Sequence, residues 1–279
     1  PLSGKTWVWS KIVKDRHLHD PKDVEIFQWK TTDNPHVDPA RVKKVFGRMA
    51  PEIQIARMDG SFIDLQGLVW PNFDEQVHMV DEFDLPTHLK LWVGLDGGIR
   101  HPFACVCGAT DERGGIVLWK SWKRSGALIS QCARQILETF KEYAPHAVDV
   151  KCEETFRRAM LGKFDHIDRD RPTIRAHFTI DPSAQQVREE FRPYGIFPTN
   201  ANRDMLGGIG RVGELFGDEL EGKPGLRIMR GRNGDLIEEL RLYSWAKKKQ
   251  TSVGPQRPQN DNDDCCDALR YLAMEHPIP

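Results

Sequence analysis

From Leu89 onward the apolar and polar positions alternate between strand-like and helix-like periods. Leu89–Asp96 reads as an apolar strand that ends on a carboxylate and is followed by Gly97-Gly98. Pro102–Thr110 and Ile116–Trp122 are two further strand-like runs, joined by Asp111-Glu112-Arg113-Gly114-Gly115. Three strands linked by short turns predict an antiparallel meander. Ser125–Tyr143 carries Leu128, Ile129, Cys132, Ile136, Leu137 and Phe140 at helical spacing. Residues 147–172 are rich in charge and read as an insertion. Thr173–Ile180 predicts a strand ending on Asp181-Pro182, then a helix over Ser183–Phe191 and a short strand at Ile196–Pro198. A long helix from Arg203 to Leu220 places Met205, Ile209, Val212, Leu215 and Phe216 on one side. A strand at Leu226–Met229, a helix over Asp235–Trp245, a loop at Thr251–Asn260 and a last helix over Asn262–Met274 complete the pattern. This order predicts an α/β fold with a mixed β-sheet flanked by helices.

The first 85 residues read differently. Trp7–Lys14 predicts a short helix, Val24–Trp29 a strand, and Thr31-Thr32-Asp33-Asn34-Pro35 a turn. Asp38-Pro39 opens a helix through Phe46, with Asp as N-cap and Pro at the first helical position. Two β-like pieces follow, at Gly60-Ser61-Phe62-Ile63 and Gly67-Leu68-Val69-Trp70. There is too little apolar material here for an independent core. Residues 1–85 are therefore expected to be an accessory segment and 86–279 the main domain. The chain opens at Pro1 rather than Met, the expectation for a trimmed chain or a piece of a longer one.

Composition narrows the partners. Among 279 residues, 40 Lys plus Arg oppose 41 Asp plus Glu, a formal net charge of −1. That excludes a uniformly basic nucleic-acid coat and leaves room for a local basic face balanced by a concentrated acidic site. No apolar run is long enough to span a membrane and no signal region opens the chain. The six cysteines (Cys105, Cys107, Cys132, Cys152, Cys265, Cys266) include no C-x-x-C pair. Their spacing fits a reducing cytoplasm better than a zinc ribbon or a disulfide framework.

Ser3-Gly4-Lys5-Thr6 has the tail of a phosphate-binding loop but neither the upstream glycine nor the upstream strand that loop requires. The acids carry more. Asp96 and Asp181 each end a predicted strand, where α/β sheets place their sites. Asp261-Asn262-Asp263-Asp264-Cys265-Cys266-Asp267 opens the last helix with four carboxylates in seven residues. One or two of these are explained as helix caps or as partners of the helix dipole. The excess is not. Like charges at this density raise one another's pKa and call for a counter-ion, and an all-oxygen donor set favours Mg²⁺ or Mn²⁺.

Asp96-Gly97-Gly98, Asp181-Pro182-Ser183 and Asp263-Asp264-Cys265-Cys266-Asp267-Ala268-Leu269-Arg270-Tyr271 together resemble the large terminase subunits of tailed bacteriophages. The stretches Ala201–Ile209 and Glu238–Tyr243 are similar to that family as well, so the resemblance covers most of residues 85–279. Thr32–Pro35 and Gly60–Trp70 resemble the end of the family's ATPase domain, whose motor would lie upstream of Pro1. The resemblance implies an RNase H-like nuclease domain that cuts concatemeric viral DNA during genome packaging. It further implies a host-cytoplasmic role outside the finished virion, with the portal and the small terminase subunit as partners. Residue by residue, Asp96 and Asp181 match the first two metal-binding acids and Asp264 the last, with Asp267 as helper. The family often has a His beside the last acid. Here Asn262, Asp263 and the Cys265-Cys266 pair stand instead, which leaves Asp263, Asp264 and Asp267 as alternative ligands. Glu153 or Glu154 in the 147–172 segment offers an extra one.

Phosphodiester cleavage needs an activated water and a stabilised leaving oxyanion, which two metal ions sharing one carboxylate supply. Asp96, fixed on a central strand, is the expected bridge. His101 and His177 lie near the acids in sequence and are candidate proton shuttles, although a lone His near a strand is more often structural. Duplex DNA would be held by cations: Lys120, Lys123 and Arg124 after the third strand, Arg157-Arg158, Arg169 and Arg171, and Lys247-Lys248-Lys249. Two other readings compete. One is a different RNase H-like enzyme, such as a junction resolvase or transposase. The other is a non-catalytic DNA-binding or docking module whose acids are caps and ion-pair partners.

Overall fold

The computed structural model describes residues 27, 29–38, 41–42, 58, 67–97, 101–150, 153–163, 171–246, 256–260 and 263–276. Contacts divide the chain into two compact units, Pro1–Phe73 with Arg241–Asp261, and Asp74–Leu240 with Asn262–Pro279. In the first, the amide of Val69 donates to Tyr243 O and that of Trp245 to Gly67 O. These bonds flank an antiparallel bridge between Leu68 and Ser244. The predicted turn at 31–35 is a single 3₁₀ turn, Thr31–Asp33, closed by the Lys30 amide donating to Asp33 Oδ2 at 2.9 Å. The elements expected at Trp7–Lys14, Val24–Trp29, 38–46 and 60–63 fall wholly or largely outside the described residues.

The second unit is built on a seven-stranded mixed sheet. Its strands are β1 (Met79–Val80), β2 (Leu91–Asp96), β3 (Phe103–Thr110), β4 (Ile116–Arg124), β5 (His177–Ile180), β6 (Thr199–Asn200) and β7 (Leu226–Met229). Their order across the sheet is β1-β7-β4-β3-β2-β5-β6. The meander β2-β3-β4 is antiparallel as its short turns predict, and the outer pairs are parallel. Among the described residues seven helices accompany it: α1 (Glu75–His78), α2 (Ile129–Tyr143), α3 (Glu153–Met160), α4 (Gln185–Phe191), α5 (Met205–Gly217), α6 (Gly234–Leu242) and α7 (Asp264–Glu275).

The alternation along the strands divides their side chains between two faces. Val93, Leu95, Phe103, Cys105, Cys107, Trp119 and Trp122 join Cys132, Ile136, Leu137 and Phe140 of α2 and Val187 and Phe191 of α4 in one core. Trp119 meets Phe140 edge-on with ring centroids 5.2 Å apart. The opposite face carries Trp92, Gly94 and Asp96 and is covered by α7. Nearly every turn of that helix is buried, from Cys265 and Cys266 through Leu269, Tyr271 and Leu272, because it lies between the sheet and α5. Gly208 of α5 has no room for a methyl group, which would come within 2.8 Å of Arg270 Cδ.

The sequence pattern misplaces three elements. The run 173–180 is not one strand. Thr173–Ile174 pairs with Val148–Asp149 outside the main sheet, and β5 begins only at His177. The short strand lies at Thr199–Asn200 rather than 196–198, because Ile196 turns into the core. The charged 147–172 segment contains α3, which buries Phe156 and Ala159.

Candidate metal centre

β2 and β5 run parallel, with Leu95 opposite Ile180. The next residue on each is a carboxylate, so Asp96 and Asp181 end adjacent strands spaced about 4.8 Å apart. On the other side of β2, Asp96 faces Ala104, and Ala104 faces Lys123. Lys123, Ala104, Asp96 and Asp181 thus form a row across one end of the sheet. Cross-strand partners share a face, and this is the face that α7 covers.

Gly94 sets how closely α7 approaches. It shares a face with Asp96, and a Cβ there would overlap the Ala268 carbonyl oxygen outright and lie 2.8 Å from its carbonyl carbon. Only a glycine lets the helix backbone rest on the strand. Tyr271, one helical turn further on, donates its hydroxyl to Asp181 Oδ2 at 3.4 Å. The first turn of α7, with Asp263, Asp264 and Asp267, is thereby brought to the acids at the strand ends.

A β-bulge places Lys123 among them. Cys107 pairs with Lys120 while Gly108 pairs with Leu118, leaving Trp119 as the extra residue. The inserted residue reverses the alternation beyond it. Trp119 and Trp122 therefore both enter the α2 core, and Lys123 turns to the acid face. Its Nζ donates to Glu239 Oε1 at 2.6 Å and lies 3.5 Å from Asp264 Oδ2. Lys123, expected on a DNA-holding surface, is an ion-pair partner inside the acidic site.

The electrostatics follow from this gathering. Burial, reinforced by the charges of Asp267 and Asp264, pushes Asp96 up to about 8 despite the opposing Arg270. Burial and the same two neighbours push Asp263 up to about 6. Asp267 is raised by burial, with the Arg270 guanidinium opposing. Asp181 goes the other way: burial pushes it up, but the Ser183 hydroxyl and amide and the Arg203 guanidinium together hold it below the usual carboxylate range. The amide of Ser183 donates to its Oδ1 at 2.7 Å.

Asp263 is the N-cap residue of α7 yet makes no side-chain cap bond. Glu239 of α6, 3% exposed, does that work instead. Its Oε2 accepts from the amides of Cys265 at 2.7 Å and Cys266 at 3.0 Å. Nothing near Glu239 in the sequence announces this, because the bond spans 26 residues.

The donors are all hard oxygens, and the negative charge crowded around Asp96 is what a divalent cation relieves, so the residues fit Mg²⁺ or Mn²⁺. Among the described residues no group of three or more His, Cys, Asp or Glu is arranged to hold an ion as it stands. Three of the acids hold protein cations instead: Asp181 with Arg203 at 3.2 Å, Asp264 with Lys123 at 3.5 Å, and Asp267 with Arg270 at 3.1 Å.

The remaining candidates scatter. His177 starts β5 while Asp181 follows its end, about 13 Å away at about 3.3 Å per residue, and its Nε2 lies 3.8 Å from Glu275 Oε2. Lys120 and Arg124 point to the face opposite the acids. Lys120 Nζ sits 5.2 Å from the Tyr143 ring centroid. Arg124, with His101, Phe103, Leu128 and Glu190, lines a cleft of about 390 Å³ on that opposite face. His101 lines that cleft, and His177 faces Glu275 rather than Asp96 or Asp181. Glu153 pairs with Lys141, and Glu154 with Arg157. Arg169 and Lys247-Lys248-Lys249 lie outside the described residues.

Residues 93–276, more than half of the chain, match the family model described as the terminase RNaseH-like domain. The chain belongs to this terminase RNase H-like family. The RNase H-like mixed sheet and the likeness to large terminase subunits expected from the motifs are both upheld. Among solved structures, the large terminase of a thermophilic bacteriophage is similar over 97% of this chain and 59% of its own, with 19% identity and a TM-score of 0.72. The chain thus spans less than two thirds of the length of that large terminase chain, and at that identity the likeness is one of fold. The P22 large terminase nuclease domain aligns over 75% of this chain and 91% of its own, with 19% identity and a TM-score of 0.48. No curated protein sequence matches the chain significantly. Among the described residues no helix is long and apolar enough to cross a membrane.

Proposed function

We propose that this chain is the nuclease part of a phage large terminase, an endonuclease that cuts double-stranded concatemeric viral DNA during genome packaging. One observation carries the reading: Asp96, Asp181 and the acidic first turn of α7, far apart in sequence, converge at one end of the sheet. In this reading Asp96, Asp181 and Asp264 would hold two Mg²⁺ or Mn²⁺ ions, with Asp263 and Asp267 beside them. The chemistry supplied by the bound pair is activation of a water and stabilisation of the leaving oxyanion. Asp96, which ends a strand paired on both sides and is itself paired with Ala104, would be the shared ligand. Asp181 is oriented by Ser183 and Tyr271, and Arg203 balances its charge. Asp267, gripped by Arg270, serves as helper rather than principal ligand. No side chain acts as nucleophile.

In this reading the unit Asp74–Leu240 with Asn262–Pro279 is the nuclease, which begins before the expected residue 86 because β1 is one of its strands, and residues 1–73 belong to the end of an ATPase domain. Arg124, Lys120 and Lys247-Lys248-Lys249 are the proposed phosphate contacts. Backbone contacts of that kind are sequence-tolerant and weaken with salt. The portal and the small terminase subunit are the proposed partners, in the host cytoplasm.

Nicking of supercoiled plasmid tests the proposal. The chain is expected to nick in Mg²⁺ or Mn²⁺ and not in chelator, and Asp96→Asn and Asp181→Asn each abolish nicking. Undiminished cleavage by both variants removes the two-metal assignment. Strong preference for a branched junction over linear duplex would instead favour a resolvase.

A further inference from the structure

A helix that begins Asp263-Asp264 would ordinarily spend one of those carboxylates on its own first-turn amides, which lack partners within the helix. Here that need is met from outside. One oxygen of Glu239, a buried residue of α6, accepts from both Cys265 and Cys266. The other accepts from Lys123, whose Nζ also faces Asp264. Lys123 is itself fixed through its backbone, its amide donating to Asp235 Oδ2 at 2.9 Å. The start of α7 is therefore tied to β4 and α6 through one buried carboxylate, and Asp263 makes no cap bond of its own.

We propose that Glu239 is a positioning residue for the metal centre: it caps α7 in place of Asp263 and so spares the Asp263 carboxylate from capping while fixing the acidic turn in place to serve metal. The inference rests on the nuclease reading above. Glu239 touches neither metal nor DNA. It acts by fixing where the Cys265 and Cys266 amides, and with them Asp263 and Asp264, stand relative to Asp96. Residues that orient metal ligands in this indirect way commonly change metal affinity by about 10–100-fold when removed.

The test compares Glu239→Ala, Glu239→Gln and Glu239→Asp in the full chain. Without metal, amide hydrogen exchange at Cys265 and Cys266 is expected to accelerate in Glu239→Ala. Glu239→Gln, which keeps an acceptor oxygen, should largely restore protection. With metal, the Mn²⁺ concentration giving half-maximal plasmid nicking should rise about 10–100-fold in Glu239→Ala. It should return to within about fivefold of the parent in Glu239→Gln, on the same reasoning, while KM for plasmid stays constant. If Glu239→Ala does not fold, Glu239→Asp carries the test. It keeps the charge but withdraws the carboxylate by one methylene, so exchange should quicken and the Mn²⁺ midpoint should rise. Parental exchange rates or a parental Mn²⁺ midpoint in a folded Glu239→Ala or Glu239→Asp overturn the proposal, as does a Glu239→Gln no better than Glu239→Ala. If the parent chain nicks no better than Asp96→Asn, the nuclease reading fails instead, and the exchange rates still report whether Glu239 is the cap.

Discussion

Replacing Gly94 with alanine adds one methyl group at the point where α7 rests on β2. That carbon would overlap the Ala268 carbonyl oxygen, lie 2.8 Å from the carbonyl carbon and 3.1 Å from Leu272 Cβ. Ordinary carbon–carbon contact needs about 3.5–4.0 Å, so the helix must retreat by about 1 Å. The obstacle is backbone and cannot rotate aside, which places the cost at the upper end of the usual range for overpacking, about 3 kcal/mol. For a domain of this size that corresponds to a fall in Tm of about 6–12 °C. The same retreat carries Asp264 and Asp267 away from Asp96, and a misplacement of about 1 Å can cost about 100-fold in rate. Thermal unfolding followed by circular dichroism reads the first effect, and plasmid nicking well below the new Tm reads the second. A Gly94→Ala variant with parental Tm and nicking would show that α7 does not bear on β2 at this point.

Three further outcomes follow from the geometry. In chelator, Asp96 is pushed up to about 8, so between about pH 4 and pH 8 the folded chain keeps a proton that the unfolded chain has released. Stability should fall as pH rises through that window. Asp96→Asn should flatten the slope and melt above the parent at pH 8 while failing to nick, and a parallel pair of Tm-versus-pH curves would contradict the assignment. Arg124→Gln should make the dependence of log K for duplex on log salt shallower by about 0.9, the effect of one lost phosphate contact; an unchanged slope removes Arg124 from the DNA-holding surface. Gly195 adopts a left-handed conformation (φ +70°), and a Cβ there would collide with Pro172; its neighbours Tyr194 and Ile196 pack in the α2 core, on the sheet face opposite the acids. Gly195→Ala should lower Tm yet leave the Mn²⁺ midpoint of nicking unchanged.

Strand and helix periods made much of the sheet legible. The meander and the helices α2, α5 and α7 lie within a few residues of where the apolar spacing puts them, because each buries one continuous face. The failures have local physical causes. The run 173–180 looked continuous because both its halves are apolar, and nothing in Arg175-Ala176 marks the change of partner. The acids at the strand ends were readable as candidates, since a carboxylate closing an apolar strand has few structural reasons to be there. Their immediate surroundings were not. Lys123 and Arg124 are neighbours that point to opposite faces, and only the bulge at Trp119 decides which faces the acids. Glu239 sits in an ordinary helical segment and becomes a cap only through a long-range contact. Gly94 was within reach of inference: it stands two residues before Asp96, and a glycine inside a strand marks a close backbone approach.

Crystals of the chain soaked in Mn²⁺ and measured for anomalous scattering test the metal centre most directly. Two peaks bounded by Asp96, Asp181 and the first turn of α7, with metal–oxygen distances of about 2.0–2.6 Å and Asp264 drawn away from Lys123, are the predicted result. Featureless density there at saturating Mn²⁺, with Arg203, Lys123 and Arg270 still paired to their carboxylates, would contradict it.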